Sequence, residues 1–303
     1  MTKAALQAAY VLSDDLGASF AERLFTSPRR YPRPDRERAV LASGRPSTVS
    51  VPLRSPRWRG GTIDLATWRW GHGPAVLLVH GWEGRGSQLG SFVGPLVSAG
   101  LSVVTFDAPG HGDSPDHRLY LTDLADAIEG VATACGPLHG IVAHSFGAAG
   151  VLLAHSRNNV FAARNVMISP NVIIDDAVAK FARMVGLDDA DRTSLEARLA
   201  AHTGIPVESL RIDNLVDAEV RGERGDSLLV VHDLEDREVR IDHGHALAGA
   251  WPNARLLATT GLGHRRILRD DAVIAATVEV LREGVQPPVS DLVREVDRQL
   301  ESL

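Results

Sequence analysis

A chain of 303 residues can bury a full core in one domain, with room for one insertion. Its composition is that of an ordinary globular protein, and a formal net charge of −6 supplies no electrostatic attraction for nucleic acid or an anionic membrane surface. The single cysteine, Cys135, excludes an intrachain disulfide, fits a reducing compartment, and sits in an apolar helical stretch as a packed thiol rather than a nucleophile.

Residues 1–47 read as an N-terminal helical extension and an Arg/Pro-rich arm. Leu6, Val11, Leu16, Phe20 and Leu24 keep helical spacing. The stretch from Lys3 to Leu12 imitates a signal peptide, but Gln7 interrupts it and Ser13, Asp14 and Asp15 stand where a cleavage site would fall. It is therefore read as a helix, and the protein as cytoplasmic. No apolar run approaches the ~20 residues that span a bilayer. In the segment from Ser27 to Arg38, Pro28, Pro32 and Pro34 forbid a continuous helix. Its arginines are interleaved with Asp35 and Glu37, which predicts a solvated surface arm rather than a nucleic-acid patch.

From Thr48 the texture changes to strands. Residues 48–51 and 62–68 alternate, consistent with an antiparallel pair joined through Gly60 and Gly61. Continuous apolar runs follow at 75–80, 101–106, 138–143, 165–169, 227–232 and 255–259. Helical patterns separate most of them, which predicts an α/β fold with a mostly parallel sheet covered by helices on both faces. The interval 171–224 breaks the rhythm. It is charged and helical at 177–185 and 192–201, and reads as a cap inserted into a core formed by 48–170 and 225–303. After Arg265 the pattern is helical to Glu283. Pro287 and Pro288 then stop it, and Ser290 caps a last amphipathic helix carrying Leu292, Val296 and Leu300.

In such a sheet the loops at the carboxyl ends of the strands converge and form sites. The third of the apolar runs ends in Ala143-His144-Ser145-Phe146-Gly147, where small residues open a helix. A serine at a strand-to-helix turn sits on a sharp corner with its hydroxyl exposed, although the first glycine of the G-x-S-x-G pattern is alanine here. A serine hydroxyl needs a base within hydrogen-bond reach, and the base needs an acid to hold its tautomer. Asp233, Glu235 and Asp236 follow a later strand, and His264 follows the last one. Ser…Asp…His is the chain order of one fold and differs from two other triad folds.

Taken together, these stretches resemble the α/β-hydrolase superfamily, in its capped, single-domain form. The matching residues are His80-Gly81-Trp82, Asp107-Ala108-Pro109-Gly110-His111-Gly112-Asp113-Ser114, His144-Ser145-Phe146-Gly147, 233–239 and Gly261-Leu262-Gly263-His264, within about 48–283. The resemblance implies Ser145 as nucleophile, Asp236 as acid and His264 as base. It also implies an oxyanion hole from the backbone N–H groups of Trp82 and Phe146. Gly81 would let its loop approach, and His80, His144 and Gly147 would support the surroundings of Ser145. Asp236 fits the family spacing best, with Asp233 the alternative.

The other chemistry-bearing residues have structural readings. His111 is a turn residue and His232 a strand-end residue. His232, Asp233, Asp236, Asp242, His243 and His245 cluster in sequence, but His243 and His245 are two apart on a helix and share no face, so no metal site is expected. Gly81, Gly84, Gly86 and Gly90 do not have the spacing of a dinucleotide fingerprint, and no cofactor is expected. Glu83, Arg85, Arg265 and Arg266 are candidates to line the pocket mouth, with surface charge the preferred reading for most of them. Trp82 and Phe146 suggest apolar walls beside the serine, and Phe181 and Met184 are candidates to face it from the cap. The expectation is a serine hydrolase acting on a small-molecule ester or related acyl bond. The rivals are an acyltransferase or peptidase with the same three residues, or a hydrolase-fold binding protein without activity. Oligomeric state is not readable from the sequence.

Overall fold

The computed structural model describes residues 3–58, 60–217, 221 and 223–285. The last helix expected from the sequence lies outside the described residues. In chain order the main elements are α1 (Lys3–Leu12), α2 (Asp14–Thr26), α3 (Asp35–Ala42), β1 (Arg45–Leu53), β2 (Gly61–Trp70), β3 (Ala75–Val79), α4 (Val93–Ser98), β4 (Ser102–Phe106), α5 (Leu121–Cys135), β5 (Leu138–His144), α6 (Phe146–Ser156) and β6 (Ala162–Ile168). Then follow α7 (Ile174–Val185), α8 (Asp189–Thr203), α9 (Ile212–Leu215), β7 (Ser227–Asp233), α10 (Asp242–Ala250), β8 (Ala254–Thr259), α11 (Gly263–Arg266) and α12 (Asp271–Arg282).

Among the described residues, eight strands form one sheet in the order β1-β2-β4-β3-β5-β6-β7-β8. β1, β2 and β4 pair antiparallel, with Leu53 opposite Gly61 at the turn. From β4 to β8 the pairings are parallel. The strands β3 to β7 are short and largely buried because both faces of the sheet are covered there. Leu77, Val79, Ile141, Ala143 and Met167 point to one face, which packs on α5, α6 and the helices α7 and α8. Val76, Leu78, Val142, Val166 and Ile168 point to the other, against Leu96 of α4 and Val273, Val280 and Leu281 of α12. Alternating burial on two apolar faces is what a continuous run produces in a covered sheet.

The N-terminal segment packs into the body. α2 lies on α8, and the rings of Phe25 and Phe181 meet edge-on at 5.1 Å. Glu22 of α2 is buried, accepts a hydrogen bond from Tyr120 Oη at 2.7 Å, and pairs with Arg198 and His202 of α8. The continuous helix expected from the spacing of Leu6 to Leu24 is broken at Ser13, where a second helix starts. Val11 and Leu16, two of the spaced apolar residues, are 87% and 55% exposed.

The arm differs from its expectation in one respect. Residues 27–34 lie at the surface, most of them exposed, but they are pinned along the loops after β3 and β4 rather than free. Arg30 donates to the carbonyls of Gly110 and Ser114, and Arg33 pairs with Asp107 and Asp113. The three prolines stiffen the segment, which lowers the entropy cost of holding the arginines against these loops.

Candidate active site

Ser145 follows the last residue of β5 and precedes the first residue of α6. Its backbone has φ +54° and ψ −123°, a conformation that costs a non-glycine residue ~1–3 kcal/mol. The corner is held by three main-chain hydrogen bonds. Ser145 N–H donates to Ile168, its carbonyl accepts from Asn171, and the N–H of Ala148 also donates to it. The tight corner requires small neighbours. A Cβ on Gly147 would sit 2.6 Å from the carbonyl oxygen of His80, and one on Gly81 would sit 2.8 Å from Cβ of Ser145. Ala143, where the pattern has glycine, fits because its methyl points into the core and is fully buried.

The hydroxyl of Ser145 lies 3.0 Å from Nε2 of His264, at the N-terminal end of α11. Nδ1 of His264 lies 2.7 Å from Oδ2 of Asp236, in the turn after β7. With a carboxylate as its acceptor, Nδ1 carries the proton and Nε2 is left to accept from the serine. Burial acts to raise the Asp236 pKa. The hydrogen bond and charge of His264, with the N–H groups of Glu238 and Val239, outweigh it and hold the carboxyl at about 2. Asp233 goes elsewhere: it accepts from Thr259 Oγ1, Leu262 N–H and Glu235 N–H, and so fixes the loop that carries His264. The geometry therefore brings Asp236, and not Asp233, to His264.

The N–H groups of Trp82 and Phe146 make no hydrogen bond among the described residues. Both residues border the serine, and their rings meet edge-on with centroids 6.0 Å apart. The N–H of Phe146 opens α6, where the helix dipole adds positive potential. Three buried histidines set the loops. His80 Nε2 accepts from Ala108 N–H, and its Nδ1 donates to the Gly81 carbonyl. His144 Nε2 donates to the main-chain carbonyl of His264 at 3.0 Å. His111 accepts from the N–H of Glu83, the residue after Trp82, and donates to the Pro109 carbonyl. Burial favours the neutral ring in each case and pushes the pKa down to about 4 for His80, about 3 for His144 and about 3 for His111. The sequence reading of His111 as a packed turn residue missed this anchoring role. A glycine-rich turn gives no signal of what its one aromatic ring will touch.

Beside Ser145 and His264 opens a cleft of about 750 Å³. The arm forms one wall through Arg29, Tyr31 and Pro34, α3 adds Arg36, and α7 reaches it through Lys180. Two expectations are corrected here. Arg85, read as surface charge, is 6% exposed and pairs with Glu37 of α3. Phe181 and Met184 do not line the cleft: the first is buried against Phe25, and the second is 62% exposed. His243 and His245 also separate, the first buried and accepting from the N–H of Val172, the second exposed. Among the described residues no helix is long and apolar enough to cross a membrane.

Comparison with known proteins agrees with this architecture. The sequence profile of a family described as the Alpha/beta hydrolase family matches residues 76–276. A thermophilic esterase from Thermogutta terrifontis superimposes with a TM-score of 0.56 at 16% identity, covering 78% of this chain and 98% of that one. Est1E from Butyrivibrio proteoclasticus, solved with ferulic acid, gives 0.55 at 19% identity over 73% and 94% of the two chains. A monoacylglycerol lipase from Paleococcus ferrophilus gives 0.53 at 21% identity over 72% and 98%. At these identities the likeness is one of fold. No curated protein matches the chain.

Proposed function

The chain belongs to the alpha/beta hydrolase family, and from that premise we propose that it is a cytoplasmic serine hydrolase cleaving an ester or related acyl bond of a small molecule. Ser145 Oγ attacks the acyl carbon as its proton passes to Nε2 of His264. The new imidazolium is stabilised by Asp236, which keeps Nδ1 protonated throughout. The negative charge that develops on the carbonyl oxygen is received by the N–H groups of Trp82 and Phe146. The C–O bond to the leaving group then breaks, and the alcohol departs with the proton from His264. Water adds to the acyl-enzyme by the same route in reverse, and His264 again takes and returns the proton.

The observation that carries this reading is the pair of contacts at His264, 3.0 Å to Ser145 and 2.7 Å to Asp236, made by a serine in a strained backbone conformation. Strain held at such a position is a cost that packing elsewhere must offset. The arrangement needs neither metal nor cofactor for acyl transfer.

The test is a fluorophosphonate probe with a p-nitrophenyl acetate assay. Stoichiometric labelling at Ser145, and loss of both labelling and turnover in Ser145→Ala, is the expected result. Turnover that persists in Ser145→Ala, or labelling of a different serine, removes the proposal.

A further inference from the structure

The three carboxylates that line the cleft are each neutralised in place. Glu37 pairs with Arg85 at 2.6 Å, Glu83 with Arg29 at 2.8 Å, and Glu238 with Arg265 at 3.0 Å. Three further cations line the same walls: Arg36, Lys180 and Arg269. None of them has a carboxylate at ion-pair distance among the described residues, and Lys180 donates only to the main-chain carbonyl of Glu238. The cleft thus carries an excess of three positive charges in a chain whose net charge is −6.

The excess is assembled from distant parts of the sequence. Arg36 comes from α3, just after the arm, Lys180 from α7, and Arg269 from the turn three residues past Arg266. Only the folded chain brings them to one cleft, and the cleft is the one that opens onto Ser145. A concave wall of one sign concentrates the field and raises the local concentration of an opposite charge. Guanidinium groups also match the planar, two-oxygen geometry of a carboxylate or phosphate.

We propose that the substrate carries an anionic terminus on its acyl part, a carboxylate or a phosphate, which Arg36, Lys180 and Arg269 receive while the acyl carbon lies at Ser145. The inference rests on the serine-hydrolase reading. The anion takes no part in bond making: the ester C–O bond breaks and water adds as before, and the cationic wall orients the acyl chain. The arm contributes specificity in this view, because it sets the position of α3 and hence of Arg36.

Three p-nitrophenyl esters of equal chain length test it: the monoester of adipic acid, its methyl ester, and the ester of 5-phosphonooxypentanoic acid. The kcat/KM ratio of an acidic ester to the methyl ester is expected to exceed ten. Whichever acidic ester gives the larger ratio identifies the anion. Arg36 and Arg269 are exposed, so Arg36→Gln and Arg269→Gln should each lower that ratio about two- to fivefold, the scale of an exposed ion pair. Raising the salt to 0.5 M should lower it as well, because exposed charges are screened. Using a ratio removes any effect of a variant on folding or on the chemical step. A ratio of one or less for both acidic esters overturns the inference and leaves the hydrolase reading standing. A high ratio that neither substitution lowers overturns the assignment to these residues. Failure of all three esters to acylate a protein that the fluorophosphonate labels at Ser145 overturns the inference alone, whereas failure of the fluorophosphonate as well overturns the hydrolase reading.

Discussion

Asp236→Asn tests the proposed chemistry at a single atom. In the native turn Oδ1 accepts from the N–H of Glu238 at 2.8 Å and of Val239 at 3.0 Å, and Oδ2 accepts from His264 Nδ1 at 2.7 Å. An asparagine must keep its oxygen where two N–H groups point. Its NH2 group then occupies the Oδ2 position and donates toward His264. Nδ1 becomes an acceptor, the proton moves to Nε2, and Nε2 can no longer take the proton of Ser145. The side chain has the same size and its two main-chain bonds survive, so the fold is retained. A base locked in the wrong tautomer lowers kcat by ~10⁴, or ~5.5 kcal/mol of transition-state stabilisation. The assay is steady-state hydrolysis of p-nitrophenyl acetate, with circular dichroism to verify folding and Asp233→Asn measured alongside. A folded Asp236→Asn protein with a rate within tenfold of wild type refutes the tautomer argument. A larger loss in Asp233→Asn than in Asp236→Asn moves the role to the other carboxylate.

Gly81→Ala places a methyl 2.8 Å from Cβ of Ser145 and must push the Trp82 loop away, so kcat/KM should fall ~10²-fold, as for loss of one oxyanion donor; a loss under threefold argues against that loop supplying a donor. Arg33→Ala leaves the buried carboxylate of Asp107 with the N–H groups of Gly86 and Asp113 alone, and should cost about 2–3 kcal/mol in urea unfolding, whereas an unchanged midpoint removes the arm from the stability of this loop. His80, His111 and His144 protonate near 6.5 when unfolded but stay neutral to about 4, 3 and 3 when folded. The unfolded chain therefore binds more protons below pH 6.5, and the urea midpoint should fall steadily between pH 7 and 5; a flat midpoint there refutes the buried neutral rings. Asp236 acts lower: held at about 2 against 3.8, it supports the fold above pH 3.8 by about 2 kcal/mol, and this is lost as the pH falls toward 2, readable as a smaller acid shift in Asp236→Asn.

The sheet was legible because its strands are buried on both faces. Runs such as Ala75–Val79 are apolar throughout and have no second interpretation at that length. The corner at Ser145 was legible for a related reason, since Gly147 and the alanines after it have no other purpose than close approach. Asp236 was preferred to Asp233 on the spacing of the family it resembles, and the residues by themselves did not decide it. Both lie in one acidic turn, and which one faces His264 depends on how the loop after β8 returns across it. The surface position of the arm was legible but its contacts were not, because its partners are far away in sequence. Arg33 pairs with Asp107, 74 residues on, and Arg85 with Glu37, 48 residues back, while charge patterning sees only neighbours. Phe181 and Met184 failed for want of a phase: both belong to α7, and spacing alone does not say which side of a helix turns to the cleft.

The profile shared with the family begins at residue 76, yet the arm, α3, β1 and β2 all come earlier. A polypeptide trimmed to the shared segment would leave the ladder of β4 without its neighbour and open to association with other chains. It would also lose the guanidinium that compensates Asp107 and one bank of the channel leading to Ser145. The folded unit thus extends beyond the segment that the profile matches, and libraries or chimeras designed on that segment alone would discard a wall of the cleft at Ser145.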